Sequence, residues 1–235
     1  VLSGTSGGHI FFQREISDLL GCDDRWLRET AREYRLAWRA WRRLSRLRSP
    51  SRQTDGYHKT LDPAEGFALW ALVKWNRPHV IVELGTRSGL SARLWKEALK
   101  RYVPDHELIL SDLEDKRVFI DDSEATFLLG DAYKLLPEVF ATRRVDLLFN
   151  DAHPYTLIKW SVEEGLRQKV PVFAFHDVGY RHPRGPYRPG SASIPVDERP
   201  LHDTEWGTAR DGRGLQRYAY PGGFCTYRIL HRTDI

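Results

Sequence analysis

The feature that most constrains the fold is an alternation of short apolar runs with amphipathic stretches in the middle of the chain. Apolar runs of strand length occupy residues 79–84, 107–112, 126–130, 145–151 and 171–177, and helical patterns such as 91–102 and 156–168 follow most of them. Nearly continuous apolar strands that alternate with helices are typical of a parallel sheet covered on both faces. We therefore expect a doubly wound, mostly parallel α/β sheet, in which ligands bind beyond the carboxyl ends of the strands.

The region before this alternation predicts a helical extension. Residues 23–48 are rich in arginine and tryptophan, and their apolar side chains recur at spacings of three and four, which indicates an amphipathic helix. We expect its apolar face to pack against the domain or a second subunit, although its arginines also suit RNA phosphates or an anionic membrane surface. A further helix is predicted to begin at Asp62, with Pro63 at its first position. Residues 1–56 are thus expected to extend one α/β domain at 57–235.

The C-terminal part of the chain contains a long irregular segment and a hairpin pattern. Residues 179–214 are crowded with proline, glycine and arginine and are too many for a plain connector, so we expect a substrate loop or lid there. After this segment, the sequence LQRYAYPGGFCTYRIL predicts a hairpin that turns at Pro221, Gly222 and Gly223. Such a hairpin would add an antiparallel edge to the sheet.

The composition narrows the class of protein. The formal charge of +4 is too mild to imply a nucleic-acid partner by itself. Cys22 and Cys225 have no spacing typical of a zinc site or a disulfide framework, so a reducing cytoplasm is the expected location. No stretch of the sequence has the roughly 18–20 consecutive apolar residues of a membrane span.

The first strand-like run ends in a glycine turn, ELGTRSG, which begins at Glu83. The dinucleotide fingerprint GxGxxG needs a second glycine where this chain has Arg87, and a P-loop needs a GK[ST] sequence that does not follow here. The remaining pattern is a strand, a turn with glycines at Gly85 and Gly89, and a helix. A turn of this shape either packs against a ligand other than a dinucleotide or has a purely structural role.

This turn resembles motif I of the class I S-adenosylmethionine-dependent methyltransferases, which have a Rossmann-like sheet. The resemblance implies that the turn packs against the amino-acid part of the cofactor, that Asp112 accepts both ribose hydroxyls and that residues 130–132 contact the adenine. The acids in these positions also have alternative interpretations, as solvated strand-end residues or helix caps. The cofactor-binding residues that the resemblance implies are Glu83, Gly85, Thr86, Ser88, Gly89, Ser91, Asp112, Gly130, Asp131, Ala132 and Asn150.

Polar residues after the fourth and fifth strands carry the expected chemistry. Asn150, Asp151 and His153 follow the fourth run, and His176 and Asp177 end the fifth. They resemble a group of small O-methyltransferases, the cephalosporin-hydroxylase-like and macrocin-O-methyltransferase-like proteins, with D-x-x-H-x-Y after strand four and H-D after strand five. The resemblance covers residues 60–177, but the first acid of the pattern falls on Asn150, with Asp151 one residue late.

Two mechanisms are open for these residues. The resemblance implies a divalent ion, Mg²⁺ or Mn²⁺, held by Asp151 and Asp177 with Asn150 or His176 as a further ligand, that lowers the pKa of the acceptor hydroxyl. The alternative is direct base catalysis by His153 or His176, because an imidazole titrates near neutral pH. His153, Asp151 and His176 are therefore the expected catalytic residues, and a structural role for the histidines stays open.

The resemblance implies O-methylation, and the acceptor that we expect is a small hydroxylated metabolite, such as a sugar or a phenolic natural product. The NPPY tetrad of enzymes that methylate nucleobases is interrupted by Asp151, Ala152 and His153. The arginines of residues 179–214 suit an acidic or phosphorylated acceptor. An RNA-binding or RNA-modifying protein that uses the basic helix is the alternative from another class, and a Rossmann-type oxidoreductase is a weaker one. The expected protein partner is a second copy of the chain, bound through the N-terminal helix.

Overall fold

A single mixed sheet organises the chain. The computed structural model describes residues 16–17, 20–48, 63–152, 155–175, 213–219 and 226–232. The strands of this part are β1 Val80–Leu84, β2 Glu107–Asp112, β3 Thr126–Leu129, β4 Leu147–Asn150, β5 Val172–Phe175, β6 Arg213–Ala219 and β7 Thr226–Arg232. Their order across the sheet is β3-β2-β1-β4-β5-β7-β6.

The strands β1 to β5 are all parallel to one another. β1 pairs with β2 and β4, β2 also pairs with β3, and β4 also pairs with β5. The strand order therefore reverses between β1 and β4, and this topological switch point is where parallel sheets bind ligands. β7 runs antiparallel to β5 and to β6. The turn predicted at 221–223 lies outside the described residues.

Helices cover both faces of the parallel strands. They are α1 Asp24–Arg48, α2 Pro63–Asn76, α3 Leu90–Tyr102, α4 Ala132–Thr142 and α5 Tyr155–Arg167. Because successive strand residues point to opposite faces, Ile81 packs in the cluster that contains residues of α2 and α3, whereas Val82 packs in the cluster of α4 and α5. This arrangement confirms the predicted doubly wound α/β fold. Within the residues described, no helix is long and apolar enough to cross a membrane.

Helix α1 packs its apolar stripe against α2. Tyr34 is fully buried, and its ring centre lies 6.0 Å from that of Trp70. An ion pair closes the same interface, because Glu33 Oε2 accepts a hydrogen bond from Lys74 Nζ at 2.8 Å and another from the Tyr102 hydroxyl. The helix therefore shares a core with the α/β region, as its periodicity indicated. The domain boundary near residue 56 lies in an undescribed stretch and stays a prediction.

Candidate functional site

A cleft opens at the carboxyl edge of the sheet, where the strand order reverses. Its volume is about 470 Å³, and it lies among the turn after β1, the end of β2, the start of α4 and the segment after β4. The predicted cofactor residues that line it are Gly85, Thr86, Ser88, Ser91, Asp112, Gly130, Asp131 and Ala132. Glu83, Gly89 and Asn150, which were also predicted, do not line it.

The turn after β1 requires glycine at both ends. Gly85 has φ +85°, and a Cβ on it would lie 2.7 Å from the Ala152 nitrogen. Gly89 caps α3 at φ +79°, where a Cβ would lie 2.7 Å from Ile120 Cγ2. Arg87 between them also adopts a left-handed φ of 49°, which costs a non-glycine residue about 1–2 kcal/mol. A turn with this much local strain persists because the neighbouring segments hold it.

The end of β2 holds the turn through hydrogen bonds. Gly85 N donates to the Ser111 carbonyl at 2.8 Å, and Arg87 N donates to Asp112 Oδ2 at 2.7 Å. The second oxygen, Asp112 Oδ1, accepts from Leu113 N at 2.7 Å. Backbone amides therefore fix the orientation of the Asp112 carboxylate at the cleft, so it is not merely a solvated strand-end residue. An ionised carboxylate can accept further hydrogen bonds beyond these.

The loop between β2 and β3, residues 113–125, folds back onto the turn without forming a helix. Val118 N donates to the Ser88 carbonyl at 2.9 Å, which joins the loop to the middle of the turn. Arg117 holds the loop from inside, since its Nη1 contacts Asp122 Oδ1 at 2.7 Å and its guanidinium lies 3.9 Å from the centre of the Phe127 ring. The turn is thus fixed from the β2 side and from this loop.

Asp131 both caps α4 and lines the cleft. Its Oδ1 accepts from Tyr133 N at 3.0 Å, as expected of an N-cap residue. Gly130, immediately before it, has φ +142° and donates its N–H to the Asp112 carbonyl at 2.8 Å. The helix-cap interpretation of Asp131 is therefore correct, and its exposed side chain is also available to a ligand in the cleft.

Glu83 lies behind the cleft with no solvent exposure. Its Oε1 accepts from the Ser91 hydroxyl at 2.8 Å, whereas Oε2 has no hydrogen-bond partner in the part of the chain that the structure describes. Burial has the largest effect on the pKa of Glu83, which is raised to about 8. The negative charges of Asp151 and Asp112 raise the pKa further, whereas the Ser91 hydroxyl and the Trp95 indole lower it. A second buried oxygen of the turn, Thr86 Oγ1, has no described partner either. Thr86 lines the cleft, so its hydroxyl can form a hydrogen bond with a ligand there.

Several solved structures share this fold. The O-methyltransferase from Bacillus cereus in complex with SAH superposes with a TM-score of 0.56 at 16% identity, over 94% of this chain and 96% of that one. The chain has the class I methyltransferase fold. The SAH-bound Podospora anserina methyltransferase PaMTH1 gives 0.55 at 18% identity over 87% and 88% of the two chains. The O-methyltransferase TomG from Streptomyces achromogenes, solved with SAM, gives 0.54 at 18% over 74% and 82%.

No family model and no curated protein matches the sequence. The likeness to the methyltransferases is therefore one of fold, at identities too low to transfer residue roles.

In this methyltransferase fold the segment after β4 closes one side of the cleft. Asp151 lines the cleft and donates its backbone N–H to the Leu84 carbonyl at 2.8 Å. Asn150 is fully buried, its Nδ2 donates to Ser161 Oγ at 3.0 Å, and its Oδ1 accepts from Ala152 N at 2.8 Å. The amide of Asn150 is thus used to hold the segment to α5, and the structure does not direct it into the cleft as a cofactor contact or metal ligand.

The remaining predicted residues lie outside the described part of the chain. They are His153, His176 and Asp177, and with them most of the loop at 179–214. Among the residues that are described, no group of three or more His, Cys, Asp or Glu side chains is placed to hold a metal ion. The catalytic and metal-binding roles stay predictions.

Sequence reasoning missed three side chains of the cleft wall that come from the β2–β3 loop: Leu113, Glu114 and Lys116. It also missed Tyr133, which lines the cleft and packs at a ring-centre distance of 4.7 Å against Trp160. One signal was present in the sequence, because the 113–125 segment directly follows the strand-end acid at the edge where ligands bind.

Proposed function

We propose that the protein is an S-adenosylmethionine-dependent methyltransferase that methylates a hydroxyl of a small acceptor. The observation that carries this proposal is the convergence of Gly85, Asp112 and Asp131, from the ends of three different strands, on one cleft of a class I methyltransferase fold. Solved proteins of that fold carry SAM or SAH. The cleft volume of about 470 Å³ lies within the usual range for a small-molecule site.

The charge of the cleft wall supports a cationic ligand. The acids that line it are Asp112, Glu114, Asp131 and Asp151, and the bases are Arg87 and Lys116. A sulfonium and an ammonium group against one carboxylate give the cofactor a net positive charge, which complements this excess of acids. The residues that line the cleft do not support an acidic acceptor. The prediction of an acidic acceptor therefore depends on the arginines of residues 179–214 alone.

We propose one orientation of the cofactor from the residues that line the cleft. Its amino-acid end would lie at the turn, where Thr86 and Ser91 line the cleft and Glu83 Oε2 lacks a described partner. Asp112, held by the turn, would accept the ribose hydroxyls. The adenine would lie toward Asp131, beside Leu113, whose side chain is 71% exposed in the cleft wall.

The chemistry asks little of the protein beyond alignment and removal of one proton. When bound, the cofactor supplies an electrophilic methyl group, which moves to the acceptor oxygen by in-line displacement. The fold then has to hold the acceptor oxygen in line with that group and accept its proton. Asp151 is the described carboxylate after β4 that lines the cleft. The proposed bases are His153, two residues later, and His176, which follows β5 in the sequence. No step of this proposal requires a metal ion, and Asp151 with Asp177 stays the predicted pair for one.

The alternatives from other classes are not favoured. The apolar stripe of the basic helix α1 packs on α2, which explains its periodicity without RNA or a membrane. A dinucleotide oxidoreductase would need a glycine at Arg87, and the solved structures of similar fold cited above are methyltransferases.

Isothermal titration calorimetry with SAH tests the proposal, with Asp112→Asn as the site variant and Asp105→Asn as a matched control at an exposed position away from the cleft. We expect the parent and Asp105→Asn to bind alike and Asp112→Asn to bind about 10- to 100-fold more weakly, because a charged acceptor is lost. Absence of SAH and SAM binding by the parent contradicts the proposal. The acceptor class is then identified by measuring the formation of SAH from SAM in the presence of different phenols and sugars. Each reaction is run with Mg²⁺ and with EDTA to test metal dependence.

A further inference from the structure

The Glu83 carboxyl is enclosed but connected to the cleft. It is the next-to-last residue of β1, has no exposed surface and packs beneath the first turn of α3. Ser91 donates to Oε1 at 2.8 Å, and Ser91 itself lines the cleft. Glu83 Oε2 has no partner among the residues described. One hydroxyl therefore separates a buried acid from the proposed cofactor site.

Among the described groups that act most strongly on Glu83 from the neighbouring elements, none is a cation. α3 presents the neutral Ser91 and Trp95, the end of β2 presents Asp112, and the segment after β4 presents Asp151. A carboxylate in this position loses its hydration without gaining an opposite charge, and two nearby acids repel it. The neutral, protonated acid is the form that this environment favours.

We propose that Glu83 is a neutral carboxylic acid in the free protein and ionises when the cofactor's ammonium group enters the cleft. This inference rests on the proposed function, because that function supplies the cation. When the O–H bond of Glu83 breaks, the proton passes to solvent. The carboxylate that remains is stabilised by the ligand's positive charge on the other side of the Ser91 hydroxyl. Binding of the cofactor is thus coupled to the release of a proton, and Glu83 does not carry a permanent negative charge.

The pH dependence of binding follows from this coupling. Burial raises the pKa of free Glu83 to about 8, so at lower pH each binding event must release a proton. The affinity for SAH is then expected to rise about tenfold per pH unit between two values, the pKa of Glu83 in the complex and its higher pKa in the free protein. Above pH 8 the affinity becomes independent of pH, because the acid is already ionised in the free protein.

Calorimetry of SAH binding at pH 7 in phosphate and in Tris tests the proposal, because the two buffers differ strongly in ionisation enthalpy. A group with a pKa of about 8 is about 0.9 protonated at pH 7, so we expect release of about 0.9 proton per SAH bound by the parent. Glu83→Gln keeps an acceptor for Ser91 but has no proton to lose, so its binding enthalpy should be the same in both buffers. Ser91→Ala should keep the release and move the pH at which affinity levels off upward, because the hydroxyl lowers the pKa.

The outcomes separate this inference from the proposed function. Binding of SAH by the parent with equal enthalpy in the two buffers overturns the inference and leaves the function standing. Persistent proton release in Glu83→Gln also overturns it, because the proton then comes from another group, such as the ligand's own ammonium. If SAH does not bind at all, the proposed function fails. The infrared difference spectrum between the parent and Glu83→Gln, recorded without ligand, tests the protonation state of free Glu83. We expect the carbonyl band of a carboxylic acid at pH 7 and its loss above pH 9. If the band is absent at pH 7, Glu83 is not neutral in the free protein and the inference is wrong.

Discussion

Substitution of Gly85 by alanine tests the close packing on which the cleft depends. The new Cβ would lie 2.7 Å from Ala152 N, 2.8 Å from Asp151 C and 2.9 Å from Ala152 Cα. All three are backbone atoms, so no side-chain rotation relieves the contact. The residue also keeps a φ of +85°, which an L-amino acid adopts only with strain.

The two costs can be separated with a second glycine. Gly21 has φ +65°, but a Cβ there meets nothing within 4 Å. Gly21→Ala should therefore destabilise the protein by about 1–2 kcal/mol, from backbone strain alone. Gly85→Ala adds an overpacking cost of about 1–3 kcal/mol, for a total of about 2–5 kcal/mol. Both variants lose the same unfolded-state entropy, so that effect cancels when they are compared.

Urea unfolding of the parent and both variants measures these free energies, and SAH calorimetry on the folded variants measures the effect on the cleft. We expect Gly85→Ala to lose stability and SAH affinity together, and Gly21→Ala to keep its affinity. If the two variants are equally stable, the turn after β1 is not packed against the segment after β4, and the reasoning about the cleft wall is wrong.

Two further variants test the elements around the site. Glu33→Gln should lower the free energy of unfolding by about 1–2 kcal/mol at pH 7. Burial raises the pKa of Glu33, but the hydrogen bonds from Lys74 and Tyr102 outweigh burial, so the pKa is lowered. The ionised Glu33 therefore stabilises the protein above the ordinary pKa of a glutamate, and this stabilisation is lost as the pH falls through the lowered pKa. Urea unfolding at pH 7 and pH 4 should show the difference from the parent shrinking, and a constant difference contradicts this account. Arg117→Lys should weaken SAH binding several-fold, because lysine cannot pair with two carboxylates and stack on a ring at once. Arg144→Lys, at an exposed position, is the control and should bind SAH as the parent does.

The architecture was predictable because its parallel strands are buried on both faces. Buried strands such as β1 and β4 are nearly continuous apolar runs, and their ends are marked by the polar residues of the switch point. The glycine turn was also visible, since Arg87 at the second glycine position excluded the dinucleotide pattern by itself.

The direction of individual side chains was not predictable. Asn150 follows an apolar run in the same way as Asp151, yet it turns inward because Ser161, on the next helix, offers a partner for its amide. Nothing near Asn150 in sequence reveals that partner. The raised pKa of Glu83 likewise depends on its burial beneath α3 and on Asp151 and Asp112, which only the folded chain brings near it.

The short connection between β2 and β3 makes the two ends of the cleft unequal. β3 is the edge of the described sheet, residues 113–125 form no covering helix, and Leu129 is 61% exposed. Local opening is easiest where few apolar contacts protect the backbone, so β3 is the strand of the cleft that opens most readily. The turn after β1 is held from β2 and from the 113–125 loop, whereas β3 has a neighbouring strand on one side only. A ligand in the cleft is therefore expected to reduce local opening most at β3 and least at the central strands.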